Sequence, residues 1–263
     1  MGDRPVIDSG NSLRGKVALI TGAASGQGRD AATLFAAHGA RIAVVDVNDA
    51  GARATVGTIA AAGGEALAIH ADVSKRSDVD RMVAATVERF GRLDVLYNNA
   101  AVQMSGRLVD CTDAEWDRTI ATNLSAIFWA CRAAVPHLRA AGGGSIINTS
   151  SVLGLIGSEG YAAYGAAKAG LVALSRQLAT EFAPTIRVNV IAPGSIDTPR
   201  FRAVAEAMPD PAAFLGGLER NLPLRRLGTG EDTARVALFL AGDASAYTSG
   251  AVIPCDGGLA ALR

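Results

Sequence analysis

Short, continuously apolar segments alternate along this chain with longer segments whose apolar residues recur at helical spacing. Strands that are apolar at every residue are typical of a parallel sheet that is covered on both faces. Right-handed crossovers between such strands give a doubly wound sheet. The pattern therefore predicts the α/β class, with a seven-stranded parallel sheet and helices on both of its faces. The predicted strands are 17–21, 41–46, 66–70, 93–98, 145–149, 187–192 and 251–254.

Helix signals fill the intervals between these strands. Thr112 and Glu115 have the spacing of a capping box, which predicts the start of a long helix that runs toward Ala141. No repeat or linker interrupts the pattern, so we expect residues 1–12 to form a flexible N-terminal arm and residues 13–263 a single domain. The predicted helices are 28–38, one that ends at Gly63-Gly64, 77–90, 112–141, 161–182 and 231–241.

Composition narrows the possible partners. The 263 residues are 49% hydrophobic and carry 25 basic and 25 acidic side chains, with no basic run. This balance argues against nucleic acid or an anionic membrane surface as the main partner. No apolar run approaches the roughly 20 residues that cross a bilayer, and the start lacks the apolar core of a secretion signal. We therefore expect a cytoplasmic protein that acts on a small molecule.

The cysteines give no sign of a disulfide framework or a metal site. There are three, an odd number, and they lie far apart at Cys111, Cys131 and Cys255. Neither this spacing nor the scattered histidines match a known set of metal ligands. We expect idle thiols and no bound metal.

A glycine-rich turn joins the first strand to the first helix. Gly22, Gly26 and Gly28 leave room for a pyrophosphate to approach the free N–H groups and positive dipole at the helix start. Asp46 ends the second strand, where a carboxylate can accept hydrogen bonds from a ribose diol and would repel a 2′-phosphate. These residues predict a dinucleotide site that prefers NAD to NADP. The alternative for Asp46 is an ordinary cap at a strand end.

Tyr164 and Lys168 stand four residues apart on a predicted helix, so their side chains share one face. A free phenol has a pKa near ~10 and transfers protons poorly at neutral pH. An ammonium held beside it lowers that pKa, which makes the tyrosine a usable proton carrier. The alternative is a pair that only packs on a helix surface.

Taken together, the motifs resemble those of the classical short-chain dehydrogenase/reductase family, from about Leu13 to Gly258. The resemblance implies a Rossmann-type fold, a nicotinamide cofactor and oxidoreductase activity. The motifs, in order, are Thr21-Gly22-x-x-x-Gly26-x-Gly28, Asp72-Val73, Asn98-Asn99-Ala100, Asn123, Ser151, Tyr164-x-x-x-Lys168 and Pro193-Gly194.

The resemblance implies four catalytic residues. Tyr164 would exchange the alcohol proton, and Lys168 would lower the pKa of that tyrosine and hold the nicotinamide ribose. Ser151 would hydrogen-bond the substrate oxygen, where charge grows in the transition state. Asn123 would place a water that links Lys168 to a proton relay. Ser150, next to Ser151, is expected to be structural.

The resemblance also implies the wider cofactor site. Asp72 and Val73 would contact the adenine, whereas Ile196 and Thr198 would contact the carboxamide and phosphates. Two positions depart from the family pattern, Ala101 where glycine is usual and Gln27 where an apolar residue is usual. The full expected set is Gly22, Ser25, Gly26, Gln27, Gly28, Asp46, Val47, Asp72, Val73, Asn99, Ala100, Tyr164, Lys168, Pro193, Gly194, Ile196 and Thr198.

The predicted substrate site has apolar walls. Gln103, Val152 and Phe201 are candidates beside Ser151 and Tyr164, and a loop at about 197–222 is expected to act as a lid. This predicts an NAD(H)-dependent enzyme that interconverts a medium-sized, mostly apolar secondary alcohol and its ketone. Two alternatives remain: a 3-oxoacyl-carrier-protein reductase that uses NADPH, and a catalytically idle dinucleotide-binding regulator. The resemblance further implies a homotetramer.

Overall fold

The computed structural model describes residues 12–262, and the predicted seven-stranded parallel sheet is confirmed. Its strand order is β3-β2-β1-β4-β5-β6-β9, and every neighbouring pair is parallel. All but the last residue of the predicted N-terminal arm lie outside the described residues. The strands of this sheet are β1 (Val17–Thr21), β2 (Arg41–Asp46), β3 (Ala66–His70), β4 (Val95–Asn98), β5 (Gly144–Thr149), β6 (Ile186–Pro193) and β9 (Val252–Cys255).

Helices cover both faces of the sheet because alternate strand residues feed two separate cores. Leu19 on β1 packs in one apolar cluster, and its neighbour Ile20 packs in the other. All five residues of β1 are buried, which explains its uninterrupted apolar sequence. The helices are α1 (Gly26–Ala37), α2 (Asp49–Ala61), α3 (Arg76–Phe90), α4 (Asp113–Ile120), α5 (Ala126–Ala140), α6 (Ala162–Glu181), α7 (Pro199–Glu206), α8 (Pro211–Asn221) and α9 (Gly230–Ala241).

The predicted long helix 112–141 is two helices separated by a π-helical segment. The capping box of Thr112 and Glu115 is present and starts α4. The segment Ala121–Ser125 then widens into a π-helix before α5 begins. Such π turns often occur at functional sites. The helical spacing of apolar residues does not show this interruption.

The expected loop at about 197–222 is mostly helical. Thr198 and Asp210 each accept a hydrogen bond from a backbone N–H and so cap α7 and α8, and a proline begins each helix. Two short strands flank this pair and form a separate parallel ribbon, β7 (Ile196–Asp197) with β8 (Gly228–Thr229). The sequence predicts that Pro209 and Pro211 interrupt this loop, but Pro211 begins α8, at a position where proline favours a helix start.

Smaller differences concern boundaries. The helix α1 starts at Gly26 rather than Gly28, and β4 starts at Val95 rather than Leu93. Leu93 is buried beside β4 without forming part of the strand. The three cysteines are free thiols. No helix within residues 12–262 is both long and apolar enough to cross a membrane.

The strand order reverses between β1 and β4. In a doubly wound sheet this reversal opens a crevice at the carboxyl ends of the two strands. Thr21 ends β1 and Asn98 ends β4, and the chain segments that follow them form the edges of this crevice. The fold therefore brings the glycine turn and the Asn98-Asn99-Ala100 motif to one place.

Candidate active site

The glycine turn fits tightly against the end of β1. Gly22 and Gly26 have positive φ angles of 68° and 53°, which favour glycine. A Cβ added at Gly28 would lie 2.1 Å from the Gly22 carbonyl oxygen. The first turn of α1 can therefore pack this closely against Gly22 only because residue 28 is glycine. A Cβ at Gly26 would lie 3.3 Å from Thr198 Cγ2. The turn is thus pressed between the sheet and the segment that leads into α7.

A cleft of about 380 Å³ opens beside this turn. Eleven of the expected cofactor residues line it, namely Gly22, Ser25, Gly26, Gln27, Asp46, Val47, Asp72, Val73, Asn99, Ala100 and Thr198. Most residues expected to contact the adenosine and the pyrophosphate therefore share one cleft. Residues not expected there also line it, among them Ala101, Val102, Arg118, Thr122, Pro199 and Arg200.

The other expected cofactor residues lie deeper or to one side of the cleft. Gly28 is covered by the turn itself, whereas Pro193, Gly194 and Ile196 lie on β6, in the following bend and on β7. A Cβ at Gly194 would lie 2.8 Å from Asp256 Cα, so this position also requires glycine. Tyr164 and Lys168 are buried on α6.

The carboxylate of Asp46 both faces the cleft and braces its wall. Its Oδ2 accepts from the Ala24 N–H at 3.0 Å, and its Oδ1 accepts from the Asn48 N–H at 2.9 Å. A carboxylate has about four lone-pair positions, so each oxygen keeps acceptor capacity. Asp46 thus has the structural role that the sequence offers as the alternative, since it braces the end of its strand. It also faces the cleft, where a ribose diol could reach it.

Asp72 is held in a comparable way on the neighbouring wall. Its Oδ1 accepts from the Ser74 N–H at 3.0 Å and from the Ser74 hydroxyl at 2.7 Å. The Ser74 hydroxyl is the largest cause that lowers the pKa of Asp72. Asp72 is therefore a fixed anion at the expected adenine position.

Asn99 ties the ends of three strands together. Its amide nitrogen donates to the Thr21 carbonyl at 3.1 Å, and its oxygen accepts from the Thr149 hydroxyl at 3.4 Å. The Ala100 N–H donates to the Thr21 hydroxyl at 3.0 Å. These bonds fix the floor of the cleft.

Gln27 provides a test of whether a dinucleotide fits. Its Oε1 is fully buried and has no hydrogen-bond partner within the part of the chain that the structure describes. A buried acceptor without a partner is costly, by about 1–3 kcal/mol. Because Gln27 lines the cleft, a ligand with hydroxyl or amide donors can supply the missing partner. A dinucleotide carries both kinds of donor.

Three of the four residues expected to be catalytic form one cluster at the carboxyl end of β5. The Ser151 hydroxyl is close enough to the Tyr164 phenol to lower its pKa, and Ser151 Oγ accepts from the Leu153 N–H at 3.1 Å. Lys168 Nζ donates to the Thr149 carbonyl at 2.7 Å and lies 5.7 Å from the centre of the Tyr164 ring. Ser150 has the expected structural role, since its hydroxyl donates to the Lys168 carbonyl at 2.8 Å.

The predicted lowering of the Tyr164 pKa is wrong in direction. Burial raises the pKa of the Tyr164 phenol, and this outweighs the opposite effects of the Ser151 hydrogen bond and the Arg200 charge. Burial also lowers the pKa of Lys168 to about 7, with a smaller contribution from Arg200. The phenol is therefore neutral near pH 7.

Asn123 lies in the π-helical segment and is fully buried. Its Oδ1 accepts from the Val102 N–H at 3.2 Å, and its Nδ2 donates to the Val102 carbonyl at 2.8 Å. The side chain therefore fixes the loop that follows β4, which forms one edge of the cleft. This double contact had no signal in the sequence, because its partner is 21 residues away.

The expected substrate residues lie on three separate segments of the chain. Val152 is buried next to Ser151, and Phe201 on α7 packs against Phe214 on α8 with ring centres 6.4 Å apart. The Gln103 carbonyl accepts from Arg200 Nη2 at 2.9 Å. The sequence favours a solvated pair for Arg200 and Arg202, with contact to an anionic group as the alternative. In the structure Arg200 is exposed and also donates to carbonyls in the loop after β4.

Comparison with known proteins agrees with this geometry. Residues 22–260 match the family described as Enoyl-(Acyl carrier protein) reductase. The 2,5-dichloro-2,5-cyclohexadiene-1,4-diol dehydrogenase LinX of Sphingobium indicum is 41% identical, with 94% of this chain and 97% of that protein covered. The trans-4-hydroxycyclohexanecarboxylate dehydrogenase of Sinomonas cyclohexanicum is 40% identical over 92% of each chain. The 3-oxoacyl-[acyl-carrier-protein] reductase FabG of Thermotoga maritima is 39% identical, covering 94% of this chain and 98% of that protein.

A solved structure shows the same fold. The crystal structure of levodione reductase superposes with a TM-score of 0.92 at 35% identity, covering 95% of this chain and all of that one. The fold and site thus define an oxidoreductase that acts on CH–OH groups with a nicotinamide dinucleotide. The chain belongs to the short-chain dehydrogenase/reductase family.

Proposed function

We propose that this protein is an NAD(H)-dependent oxidoreductase that interconverts a secondary alcohol on a mostly apolar six-membered ring and the corresponding ketone. One observation carries the proposal: Tyr164 lies with Ser151 and Lys168 at the carboxyl end of the sheet, beside a cleft lined by the glycine turn and Asp46. This arrangement joins a proton donor to a site for a dinucleotide.

The cleft residues assign the halves of the cofactor. The N–H groups of the glycine turn would hold the pyrophosphate, and Asp46 with Val47 would hold the adenosine ribose. Asp72 and Val73 would contact the adenine, and Gln27 Oε1 would gain a donor. Asp46 supports NAD over NADP, because its carboxylate would repel a 2′-phosphate. When bound, the nicotinamide supplies the hydride chemistry.

The protein side chains supply proton transfer and charge stabilisation. The Leu153 N–H occupies one lone pair of Ser151 Oγ, and the Ser151 O–H would turn from Tyr164 to donate to a substrate oxygen. Tyr164 donates the proton that a ketone oxygen needs as it becomes an alcohol, and accepts that proton in the reverse direction. We assign Lys168 to the ribose side of the site, with Asn123 holding the loop edge and its water.

The ring substrate is supported by the names of two relatives and by the walls of the site. Both relatives act on six-membered carbocycles according to their names. Val152 follows Ser151 in the chain, and the contact of Phe201 with Phe214 gives the α7–α8 segment an apolar cluster that could face a ring substrate. A six-membered ring is compact and holds its carbinol carbon in a fixed position. An acyl thioester carries a long flexible chain that such a site would also have to bind.

A panel of alcohols tests the proposal. With NAD, we expect the enzyme to oxidise cyclohexanols and cyclohexanediols, which is followed by the absorbance of the NADH formed. Linear secondary alcohols should react at least about tenfold less efficiently. A 3-oxoacyl thioester with NADPH is the matched comparison. If the thioester reacts better than every ring compound, the acyl-carrier-protein reductase is the correct assignment.

That second candidate rests on the match to the reductase family and to FabG. It predicts a preference for NADPH, which Asp46 disfavours because its carboxylate would repel the 2′-phosphate. A catalytically idle regulator is disfavoured by the intact cluster of Tyr164, Ser151 and Lys168. We also propose a homotetramer, because Trp116 on α4 and Phe128 on α5 remain 42% and 44% exposed on the helices that the family uses for assembly.

The buried amine of Lys168 predicts a pH-dependent effect on stability. Its folded pKa of about 7 lies below its unfolded value, so the folded protein takes up this proton less readily than the unfolded chain. The cost is fully present below about pH 7 and disappears as the pH rises through the unfolded pKa. From about pH 9 to about pH 7, wild type should lose about 2 kcal/mol of unfolding free energy relative to Lys168→Met.

Denaturant unfolding of both proteins across this pH range measures the difference. Lys16→Met is the control, because Lys16 is half-exposed and ion-paired with Asp243. A gap between wild type and Lys168→Met that stays constant with pH would show that Lys168 is charged in the folded protein.

A further inference from the structure

Arg200 is a cation in the cleft without an anionic partner. Within residues 12–262, no carboxylate lies within 4.0 Å of its guanidinium, whereas Arg202, two residues later, forms a two-bonded ion pair with Asp197. Arg200 instead donates to two neutral carbonyl oxygens, those of Ala101 at 3.2 Å and Gln103 at 2.9 Å. Its charge is therefore uncompensated by the protein.

The backbone of Arg200 is held in place at the capped start of α7, although its side chain is exposed. It stands at the second position of α7, after Pro199 and after the Thr198 cap, whose hydroxyl accepts from the Phe201 N–H at 3.2 Å. The side chain runs from α7 to the loop after β4 and so crosses the cleft edge. If the Arg200 side chain extended into solvent, the carbonyl groups of Ala101 and Gln103 would be hydrogen-bonded to water and not to its guanidinium.

The position of the charge is at the reacting end of the site. Arg200 is close enough to Tyr164 and Lys168 to influence the titration of both. It also contacts Gln103, which was expected to line the substrate site. A ligand held by this guanidinium would therefore lie between α7 and the loop after β4, on the side of the cleft next to Gln103.

Resting on the proposed function, we propose that Arg200 binds a carboxylate carried by the substrate ring, so that the substrates are ring hydroxy acids and their keto acids. A guanidinium presents parallel N–H donors that match the two oxygens of a carboxylate, and such charge-assisted pairs are about twice as strong as neutral hydrogen bonds. The carboxylate would replace the carbonyls of Ala101 and Gln103 as acceptors.

The charge of Arg200 also affects the pKa of the proposed proton donor. Arg200 lowers the pKa of Tyr164 and of Lys168 through its positive charge. Removal of that charge raises both pKa values. An Arg200→Met enzyme should consequently show its pH–rate profile displaced to higher pH, an effect that loss of a merely structural brace does not produce.

The test compares each ring hydroxy acid with its own methyl ester, which keeps the ring and removes the charge. We expect wild type to prefer the free acids by about tenfold or more in kcat/KM. Arg200→Met should abolish this preference through a higher KM for the acids, and Arg200→Lys should retain part of it. Arg202→Met is the control on the same helix and should keep the preference.

Binding of cyclohexanecarboxylate by calorimetry, in the presence and absence of NADH, gives a readout that does not need turnover. We expect Arg200→Met to weaken this binding about tenfold or more, with the affinity for NADH changed less than about twofold. Equal binding to wild type and Arg200→Met overturns the inference, as does a loss confined to NADH, which would assign Arg200 to the pyrophosphate. If no ring alcohol is oxidised by any variant, the proposed function fails, and calorimetry still decides the carboxylate site.

Discussion

Replacement of Tyr164 by phenylalanine should lower kcat by about 10²–10⁴ in both directions, because it removes the hydroxyl that is proposed to exchange the substrate proton. The ring of the residue and its packing on α6 are unchanged, so the affinity for NADH should stay within about twofold. Steady-state kinetics with the best ring substrate, together with quenching of NADH fluorescence, measure the two quantities separately.

Tyr161→Phe is the matched control for this variant. Tyr161 precedes α6 by one residue and stands three positions before Tyr164, but it has no lysine a turn later. Its loss of a hydroxyl should leave kcat within about threefold of wild type. Near-normal turnover in Tyr164→Phe, or an equal loss in both variants, would remove Tyr164 from the proposed role.

The choice between NAD and NADP should be governed by Asp46. Wild type is expected to use NAD much more efficiently than NADP. In Asp46→Asn, the kcat/KM ratio of NAD to NADP should fall by about 10–100-fold, equivalent to about 1.4–2.8 kcal/mol. The amide oxygen can still accept from the Ala24 N–H, so the glycine turn remains braced.

Asp49→Asn is the control for this second prediction. Asp49 starts α2, lies three residues after Asp46 and is exposed in an ion pair with Arg53. Its substitution should leave the coenzyme ratio unchanged. Equal use of both coenzymes by wild type would show that the Asp46 carboxylate is only a brace between β2 and the turn.

The sheet could be predicted from sequence because burial on both faces leaves a strong local signal. The bounds of β1, β2 and β3 agree with the prediction at both ends, since each strand is a run of apolar residues between turn residues. The glycine turn was recognisable for a similar reason: close backbone approach excludes side chains at Gly22 and Gly28. Local constraints of this kind are recorded in the residues themselves.

The features that were missed depend on contacts between distant segments. The π-helical turn accompanies the contact between Asn123 and Val102, and neither residue alone signals it. Arg200 meets carbonyls 97 and 99 residues earlier in the chain, and a carbonyl acceptor can belong to any residue type. The pKa direction of Tyr164 was likewise beyond local reasoning, because it is set by burial under the whole site.

The same contacts explain how the site joins two functions in one place. The cleft is formed by residues that the sheet reversal brings together, and Tyr164, the proposed proton donor, is carried by α6, which packs beside β6. The loop after β4 belongs to both parts. Asn123 fixes it from below, and Arg200 contacts it from α7.

The central claim is that this protein moves hydrogen between a carbinol carbon and a nicotinamide. The direct measurement is to supply NAD and a ring alcohol that carries deuterium on its carbinol carbon, and then to determine the mass of the reduced coenzyme. The account predicts that deuterium is recovered on NADH and that Tyr164→Phe suppresses this transfer. NADH without the label, or no reduction of NAD by any ring alcohol, would contradict it.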